Sequence, residues 1–371
     1  HQNRPVVLLA FGETLAWAGL YYIFPALLLR WESDLGWSRI DLTAAITMAV
    51  LVSAVASPVA GRIIDAGRGA QLMAASATIG GLCLIALSYV TLLWQFYVVW
   101  GVIGLAMAGC LYEPCFAIVT RVRGANAKPA IIAITLAAGF ASTIAFPVVH
   151  TVAEAAGWRI AVLLSGIMVI GVVAPALWFG AHRLEAEVRA GDGTAAVPGK
   201  DGSHQFLQRP AFWLLAFAFT TIALAHGAAL HHLLPFLDEQ GISPELAVLA
   251  ASFIGPMQVA GRLAMMASDR FASHHVVTVS AFLAFAVSFG ALLLVQASPA
   301  FLTAFVVLFG AAYGTVSILR PVLAREILDG TSFGAKSGAL ALPFLAGSAV
   351  APYLGSIVWS IGGYTLMLGL A

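Results

Sequence analysis

Tyr112-Glu113-Pro114 and Leu319-Arg320-Pro321 each place one charged residue directly before a proline, inside a long apolar run. The two charges have opposite sign, and the two motifs lie in opposite halves of the chain. A charged side chain at the centre of a membrane helix costs about 2.5–3.5 kcal/mol on insertion scales, so its presence there indicates function. The pair therefore predicts a membrane protein with a repeated plan and a charged centre.

The composition indicates a membrane protein independently of any motif. Hydrophobic residues make up 61% of the 371 positions and charged residues only 9%, whereas soluble domains are about half apolar and a quarter charged. The net charge of +1 and the absence of a basic run exclude nucleic acid as an expected partner. Cys83, Cys110 and Cys115 lie in apolar runs without C-x-x-C spacing, so we interpret them as buried small residues.

Apolar runs long enough to form transmembrane helices follow one another along the chain. About 20 apolar residues are needed to cross the ~30 Å hydrocarbon core. We therefore expect an all-α membrane protein of twelve transmembrane helices, the twelfth beginning near Tyr364 and truncated at Ala371. The other predicted spans are 6–29, 41–62, 70–91, 94–120, 129–153, 159–181, 211–237, 244–267, 275–297, 299–324 and 335–360.

The distribution of Lys and Arg predicts the orientation. With the N-terminus inside, most basic residues fall on the cytoplasmic side, and the outer side holds only Arg30, Arg39 and Arg159. The polar stretch 182–209, rich in Gly, Asp and Ala, then becomes a cytoplasmic linker. We expect an N-terminal half over 1–181 and a C-terminal half over 210–371.

Landmarks of the first half recur in the second half. Val59-Ala60-Gly61-Arg62 parallels Val259-Ala260-Gly261-Arg262, and Glu113-Pro114 parallels Arg320-Pro321. On helices 1 and 7, Tyr21-Tyr22 corresponds to His231-His232, each pair followed by a proline at the same spacing. Recurrence at a nearly constant offset is the signature of an internal repeat. Parallel six-helix repeats joined by a central linker are the plan of a rocking transporter.

These features resemble the major facilitator superfamily over the whole chain. The signature G-x-x-x-D-x-x-G-[RK] of that family is matched by Gly61-Arg62-Ile63-Ile64-Asp65-Ala66-Gly67-Arg68, one residue short after Asp65. The resemblance implies two pseudo-symmetric halves and a gate of ion pairs at the cytoplasmic helix ends. The residues that would form this gate are Arg62, Asp65, Arg68, Arg262 and Asp269.

One loop is similar to loops of the bacterial relatives of monocarboxylate porters and oxalate/formate exchangers. It reads Leu35-Gly36-Trp37-Ser38-Arg39. Helix 8 of the animal monocarboxylate carriers carries D-x-x-x-R, which corresponds here to Gln258 and Arg262. If that match holds, Arg262 has a second possible role at the base of the substrate cavity, although its repeat partner Arg62 favours the gate.

Two acidic residues are candidates for proton coupling. Glu13 lies inside helix 1 on the face of Trp17, and Glu113 lies in helix 4 among small residues. Glu13 is the first choice as proton carrier, because no basic residue follows Arg4 on its own helix. The alternative for Glu13 is a position at the headgroup level, at the end of the membrane-spanning part of the helix.

Arg320 is the candidate anion-binding residue. It shares a helix face with Tyr313 and Ser317, and a guanidinium group binds a carboxylate or oxyanion through two parallel hydrogen bonds. A structural ion pair between Glu113 and Arg320 is the equally weighted alternative. Both arrangements can occur at different stages of a transport cycle.

Helix 7 contributes His226, His231 and His232. A histidine titrates near neutral pH and can relay protons or donate to an anion, or it can simply satisfy a backbone carbonyl. Adjacent histidines on a helix point to different faces, so we expect no metal site, and we expect no cofactor. The predicted substrate-binding residues are Arg320, Tyr313, Ser317, Tyr21, Tyr22, His226 and His232.

The sequence thus predicts a monomeric secondary transporter of the inner membrane, with a cytoplasmic N-terminus and the lipid bilayer around it. Its partners would be protons and a small organic anion. The first alternative is an antiporter that exports drugs or toxic oxyanions in exchange for protons. A membrane receptor that transports nothing is a further alternative, although no large soluble segment supports it. No G-x-S-x-G, H-E-x-x-H or phosphate-binding loop indicates an enzyme.

Overall fold

The computed structural model describes residues 4–123, 127–189, 207–268, 271–327 and 333–370, and these ranges contain helices and no β-strand. We number eleven helices in chain order. They are α1 (Arg4–Ala16, a π-helical segment Trp17–Tyr22, and Ile23–Leu35), α2 (Arg39–Asp65), α3 (Gly69–Leu87), α4 (Leu93–Cys110 and Tyr112–Arg123), α5 (Ala127–Ala138 and Ala141–Ala156), α6 (Trp158–Met168, a π-helical segment Val169–Val173, and Ala174–Arg189), α7 (Pro210–Glu239), α8 (Pro244–Ser268), α9 (His274–Leu293), α10 (Pro299–Ile327) and α11 (Phe333–Leu370).

Each helix of the described ranges contains a segment long and apolar enough to cross a membrane. The helix ends follow signals in the sequence. Ser38 accepts a hydrogen bond from the Asp41 backbone N–H at 3.1 Å and so caps the start of α2. Gly36 ends α1 with a φ of 67°, a value that glycine adopts without strain. The expectation of an all-α membrane protein is confirmed.

Helix α11 is interrupted near its end by two glycines. Gly362 and Gly363 leave the helical conformation, and Gly363 has a φ of 66°, which is unfavourable for any residue with a Cβ atom. Helical residues resume at Tyr364. This is the position at which the sequence predicts the twelfth helix to begin.

The chain divides into two compact units, unit 1 over His1–Val197 and unit 2 over Pro198–Ala371. Helix α6 continues to Arg189, so the first part of the predicted linker 182–209 is helical. Residues 190–206 of that linker lie outside the described ranges. The predicted domain boundaries stay a prediction.

The same helix pairs form in each unit. Helix α2 packs on α4 and α1 on α5 in unit 1, while α8 packs on α10 and α7 on α11 in unit 2. Small residues allow the close approach. A Cβ atom on Gly104 of α4 would lie 2.2 Å from the Ala49 carbonyl oxygen, and one on Gly261 of α8 would lie 2.0 Å from that of Ala311. The repeat read from the sequence therefore appears as repeated helix packing.

An aromatic cluster lies at the end of unit 1 that carries the α1–α2 loop. Phe24, Trp31, Phe96 and Trp100 are all fully buried. The Phe24 ring lies 5.3 Å from Trp31 and 4.9 Å from Trp100, in edge-to-face geometry. Buried aromatic pairs of this kind stabilise a core beyond their area burial. This cluster fixes α1 against α4 at that end of the unit.

Candidate functional site

Glu13 lies at the centre of unit 1. Its side chain is 0% exposed, so it is not a residue at a solvated helix end. Within the described part of the chain, neither carboxylate oxygen has a hydrogen-bond partner of good geometry. The nearest donors are the Cys115 thiol and the Trp17 indole N–H. A buried carboxyl group of this kind in a membrane helix is a candidate functional position.

Glu113 lies immediately after a break in α4. Leu111 leaves the helix with φ of −94° and ψ of −158°, because Pro114 has no N–H to bond the carbonyl of Cys110 and its ring would clash there. The helix resumes at Tyr112 and carries Glu113 in its first turn. Glu113 is exposed and acts electrostatically on Glu13. The break thus places the two predicted acids of unit 1 near each other.

Tyr21 and Tyr22 lie in the π-helical segment of α1. Both are half-buried, and the Tyr21 ring lies 5.2 Å from Trp17 in edge-to-face geometry. Short π-helical segments inside α-helices are frequent at functional sites. The structure therefore brings Tyr21 and, through Trp17, Glu13 into one region of unit 1.

Arg262 and Arg320 both lie near Tyr313 in unit 2. Arg262 is 8% exposed, and its Nε donates to the Ser317 hydroxyl at 3.3 Å. The Arg320 guanidinium lies 4.2 Å above the Phe344 ring, a favourable cation–π contact. Both guanidinium groups lie close enough to act electrostatically on the Tyr313 phenol. Arg320, Tyr313 and Ser317 are thus together as predicted from the sequence, and Arg262 joins them.

His226 packs directly on this basic cluster. Its ring stacks on Tyr313 with centroids 3.4 Å apart and on Phe309 with centroids 5.1 Å apart. The imidazole is buried, and its Nε2 has no hydrogen-bond partner among the described residues. A buried polar atom of this kind is uncommon in native structures. His226 therefore remains a candidate to contact substrate.

His231 and His232 bond within unit 2. The His231 Nδ1–H donates to the Gly227 carbonyl at 2.9 Å. His232 is 0% exposed, its Nε2–H donates to the Pro352 carbonyl at 3.0 Å, and its Nδ1 accepts from the Tyr364 hydroxyl at 3.2 Å. His232 thus ties α7 to α11 and to the residues after the glycine break. This geometry favours a structural role over the predicted substrate contact.

The predicted gate residues do not behave alike. Arg62, Asp65 and Arg68 are exposed at the end of α2, and none of the ion pairs found in the described ranges includes them. Arg262, predicted at the same level of the second half, is buried and bonded to Ser317 instead. Asp269 lies outside the described residues. The gate and the Glu113–Arg320 ion pair both stay predictions.

Charged residues that the sequence analysis did not identify stabilise unit 1 where α2 ends and α3 begins. The Arg121 guanidinium donates to the Ile64 carbonyl, and Glu185 accepts from the Gly69 N–H at 2.7 Å. That contact places a carboxylate at the N-terminus of α3, where the helix dipole favours negative charge. A third link joins Arg123 and Glu187 at 3.2 Å. Glu185 could have been identified from the sequence as an acidic residue in the part of α6 that continues beyond the predicted membrane span.

Solved transporter structures share the fold. The chain superposes on a bacterial homolog of the human lysosomal transporter Spinster in an inward-facing and occupied conformation, with a TM-score of 0.73 and 15% identity over 97% of this chain and 82% of that one. A D-xylose–proton symporter gives 0.72 and 11%, and the nucleoside transporter NupG gives 0.71 and 14%. In the latter two comparisons 100% of this chain and 95% of the other are covered.

One of two sequence comparisons identifies a family. No curated protein sequence matches the chain. The profile described as Major Facilitator Superfamily matches residues 9–352, which is nearly the whole chain. Together with the helix pairing and the glycine-rich contacts of both units, this match shows that the chain belongs to the major facilitator superfamily.

Proposed function

We propose that the protein is a secondary active transporter that moves a small organic anion across the inner membrane by alternating access, coupled to protons. Its family and its structural neighbours are transporters, and the substrate class rests on this chain's own residues. We place the N-terminus in the cytoplasm, because the Lys and Arg bias predicts it, and we expect a monomer.

The basic cluster of unit 2 is the observation that carries the proposal. Two arginines, Arg262 of α8 and Arg320 of α10, lie close enough to the Tyr313 phenol to act on it electrostatically. Guanidinium groups within apolar helices are costly to insert, which supports a binding or transport role for them. Their planar donor array matches a carboxylate, and Ser317, Tyr313 and His226 supply neighbouring polar groups.

Glu13 supplies the proposed proton carrier. Its carboxyl group is buried beside Trp17 and Cys115, and Glu113 rather than a cation is the charged group shown acting on it. A charged carboxylate in such surroundings is unfavourable, so proton exchange would accompany its exposure to water during the cycle. Glu113 is the second candidate for this role.

Export of cationic drugs in exchange for protons is the second candidate function. Aromatic rings lie beside the two acids of unit 1, with Trp17 4.8 Å from Tyr112. Rings and carboxylates together bind organic cations well. The two functions therefore differ in which unit provides the main binding charge.

A ligand screen on the purified protein separates the two functions. A bound ligand raises the unfolding temperature, because it stabilises the folded state to which it binds. We expect small organic acids to stabilise the wild-type protein, and we expect this effect to disappear in Arg320→Ala. Stabilisation by cationic drugs alone, retained in Arg320→Ala, would show that the exporter function is correct.

A further inference from the structure

Six aromatic rings form an unbroken ladder through unit 1, across α4, α1 and α5. Each ring contacts the next, with centroid distances from 4.8 to 6.1 Å. The Tyr112 ring stacks on Phe116 with an interplanar angle of 15°, and Tyr21 meets Tyr22 edge to face at 87°. In order, the ladder consists of Phe116, Tyr112, Trp17, Tyr21, Tyr22 and Phe146.

The ladder differs in exposure from the aromatic core of the same unit. Phe24, Trp31, Phe96 and Trp100 are fully buried. The first five rings of the ladder are only half-buried, and Phe146 alone is buried. The core rings are enclosed by packed side chains. The ladder instead presents ring surface to a space outside the packed core.

This exposed surface is not an interfacial aromatic belt. Trp17, Tyr21 and Tyr22 lie in the middle of the Arg4–Leu35 span, and Tyr112 lies within the Leu93–Arg123 span, whereas belt aromatics occupy the two headgroup levels. Glu13 and Trp17 lie four residues apart on one face of α1. A carboxylate at membrane depth faces a bundle interior or water-filled cavity rather than lipid. The same argument applies to the ladder beside it.

The π-helical segment of α1 builds one side of the ladder. A π-helical turn brings residues i and i+5 close to one face, which is the spacing of Trp17 and Tyr22. In a regular α-helix these two side chains would point in clearly different directions. The wide turn therefore keeps Trp17, Tyr21 and Tyr22 in one continuous row of rings.

We propose that this ladder binds an aromatic ring of the substrate, so that the transported molecules are small, planar and ring-bearing. The inference rests on the proposed transport function and adds a ring to the substrate. Offset and edge-to-face contacts favour an aromatic ring over a saturated ring of the same size. Trp17, Tyr112 and Phe116 thereby become specificity-determining residues.

Four matched probes separate the ring from the charge. They are benzoate, cyclohexanecarboxylate, benzylamine and cyclohexylmethylamine, with dissociation constants measured by thermal shift on the purified wild-type chain. We expect benzoate to bind about three- to tenfold tighter than cyclohexanecarboxylate, since each aromatic contact contributes modestly. Equal affinity within both pairs, or no binding of any probe, would overturn the inference. Aromatic preference confined to the amines would support the ladder and overturn the anionic substrate.

Ring substitutions locate the effect. Tyr112→Leu is expected to bring the benzoate to cyclohexanecarboxylate ratio to about one, while Tyr112→Phe keeps the ring and the ratio. Tyr89→Leu is the matched control, because Tyr89 is an exposed tyrosine outside the ladder. Phe116→Leu provides a second ladder variant, should Tyr112→Leu fail to fold. A wild-type ratio in either folded ladder variant would contradict the proposal.

Discussion

The two units share their helix packing and differ in the charge that they carry. Helix α2 lies on α4 as α8 lies on α10, with a glycine against a backbone carbonyl in each pair. At equivalent positions of the repeat, however, unit 1 carries Glu113 and unit 2 carries Arg320. Unit 1 also buries Glu13 without an ion-pair partner among the described residues, and its buried Arg39 is paired with Glu32, whereas unit 2 buries Arg262 beside Ser317.

This difference shows which parts of the repeat are scaffold and which are chemistry. Close helix contacts depend on small residues, so both units retain them. Charged residues at membrane depth are costly and need a functional reason. At the equivalent position of the repeat, the two units carry charges of opposite sign. We infer a division of tasks, with the anion bound by unit 2 and the proton carried by unit 1.

The largest effect is expected from changes to the shared scaffold. A methyl group on Gly261 would lie 2.0 Å from the Ala311 carbonyl oxygen, and backbone cannot move away as a flexible side chain can. Gly261→Ala should therefore destabilise the protein by about 1–3 kcal/mol or more, as should Gly104→Ala in unit 1. Gly290→Ala is the control, since nothing lies within 4 Å of its added methyl. Similar unfolding temperatures for all three variants would contradict the packing described here.

Arg320→Lys tests the anion site while keeping the positive charge. Lysine cannot reproduce the two parallel hydrogen bonds of a guanidinium group, so we expect roughly a ten- to hundredfold loss of anion affinity. Uptake of labelled substrate into proteoliposomes should fall, and the rise in unfolding temperature caused by the anion should become smaller in parallel. Unaltered uptake would leave Arg320 with a structural role only.

The repeat-related arginines Arg262 and Arg62 provide a matched comparison. Arg262 is buried and bonded to Ser317, whereas Arg62 is exposed. We expect Arg262→Gln to weaken anion binding about tenfold and Arg62→Gln to leave the affinity nearly unaltered, as measured by ligand titration. Equal losses in the two variants would favour the common gate role predicted from the repeat.

The smallest effect is expected at the end of α3. Glu185→Gln removes the negative charge beside the Gly69 N–H, and such a charge at a helix N-terminus contributes about 0.3–2 kcal/mol. The unfolding temperature should fall slightly, and substrate affinity should not change. Glu187→Gln, which loses only the partly exposed link to Arg123, should have less effect. A larger loss in Glu187→Gln would contradict this ranking.

Much of the fold could be predicted from the sequence, because its signals are local. Apolar run length predicted the membrane helices and the start of a further helix near Tyr364, and Pro114 explains the break in α4. The repeat of Gly61-Arg62 in Gly261-Arg262 indicated two halves. It did not indicate that Arg262 is buried, because burial depends on the neighbouring helix α10.

The candidate site was only partly predictable. Tyr313, Ser317 and Arg320 share one helix face, so periodicity alone grouped them. The bonds of His232 to Pro352 and Tyr364 join residues far apart in sequence, and no local pattern indicates them. The ring ladder likewise depends on how α4 packs beside α1. It also depends on a π-helical segment that apolar periodicity does not indicate.

The division of tasks is tested most directly by two transport modes of Glu13→Gln in proteoliposomes. Glutamine is a neutral mimic of the protonated acid and cannot release a proton. We expect accumulation driven by an imposed pH gradient to be lost, while counterflow exchange of labelled for unlabelled substrate stays close to the wild-type rate. Continued accumulation against a substrate gradient in response to the pH gradient would contradict the account, and Glu113 or a histidine of α7 would then have to carry the proton.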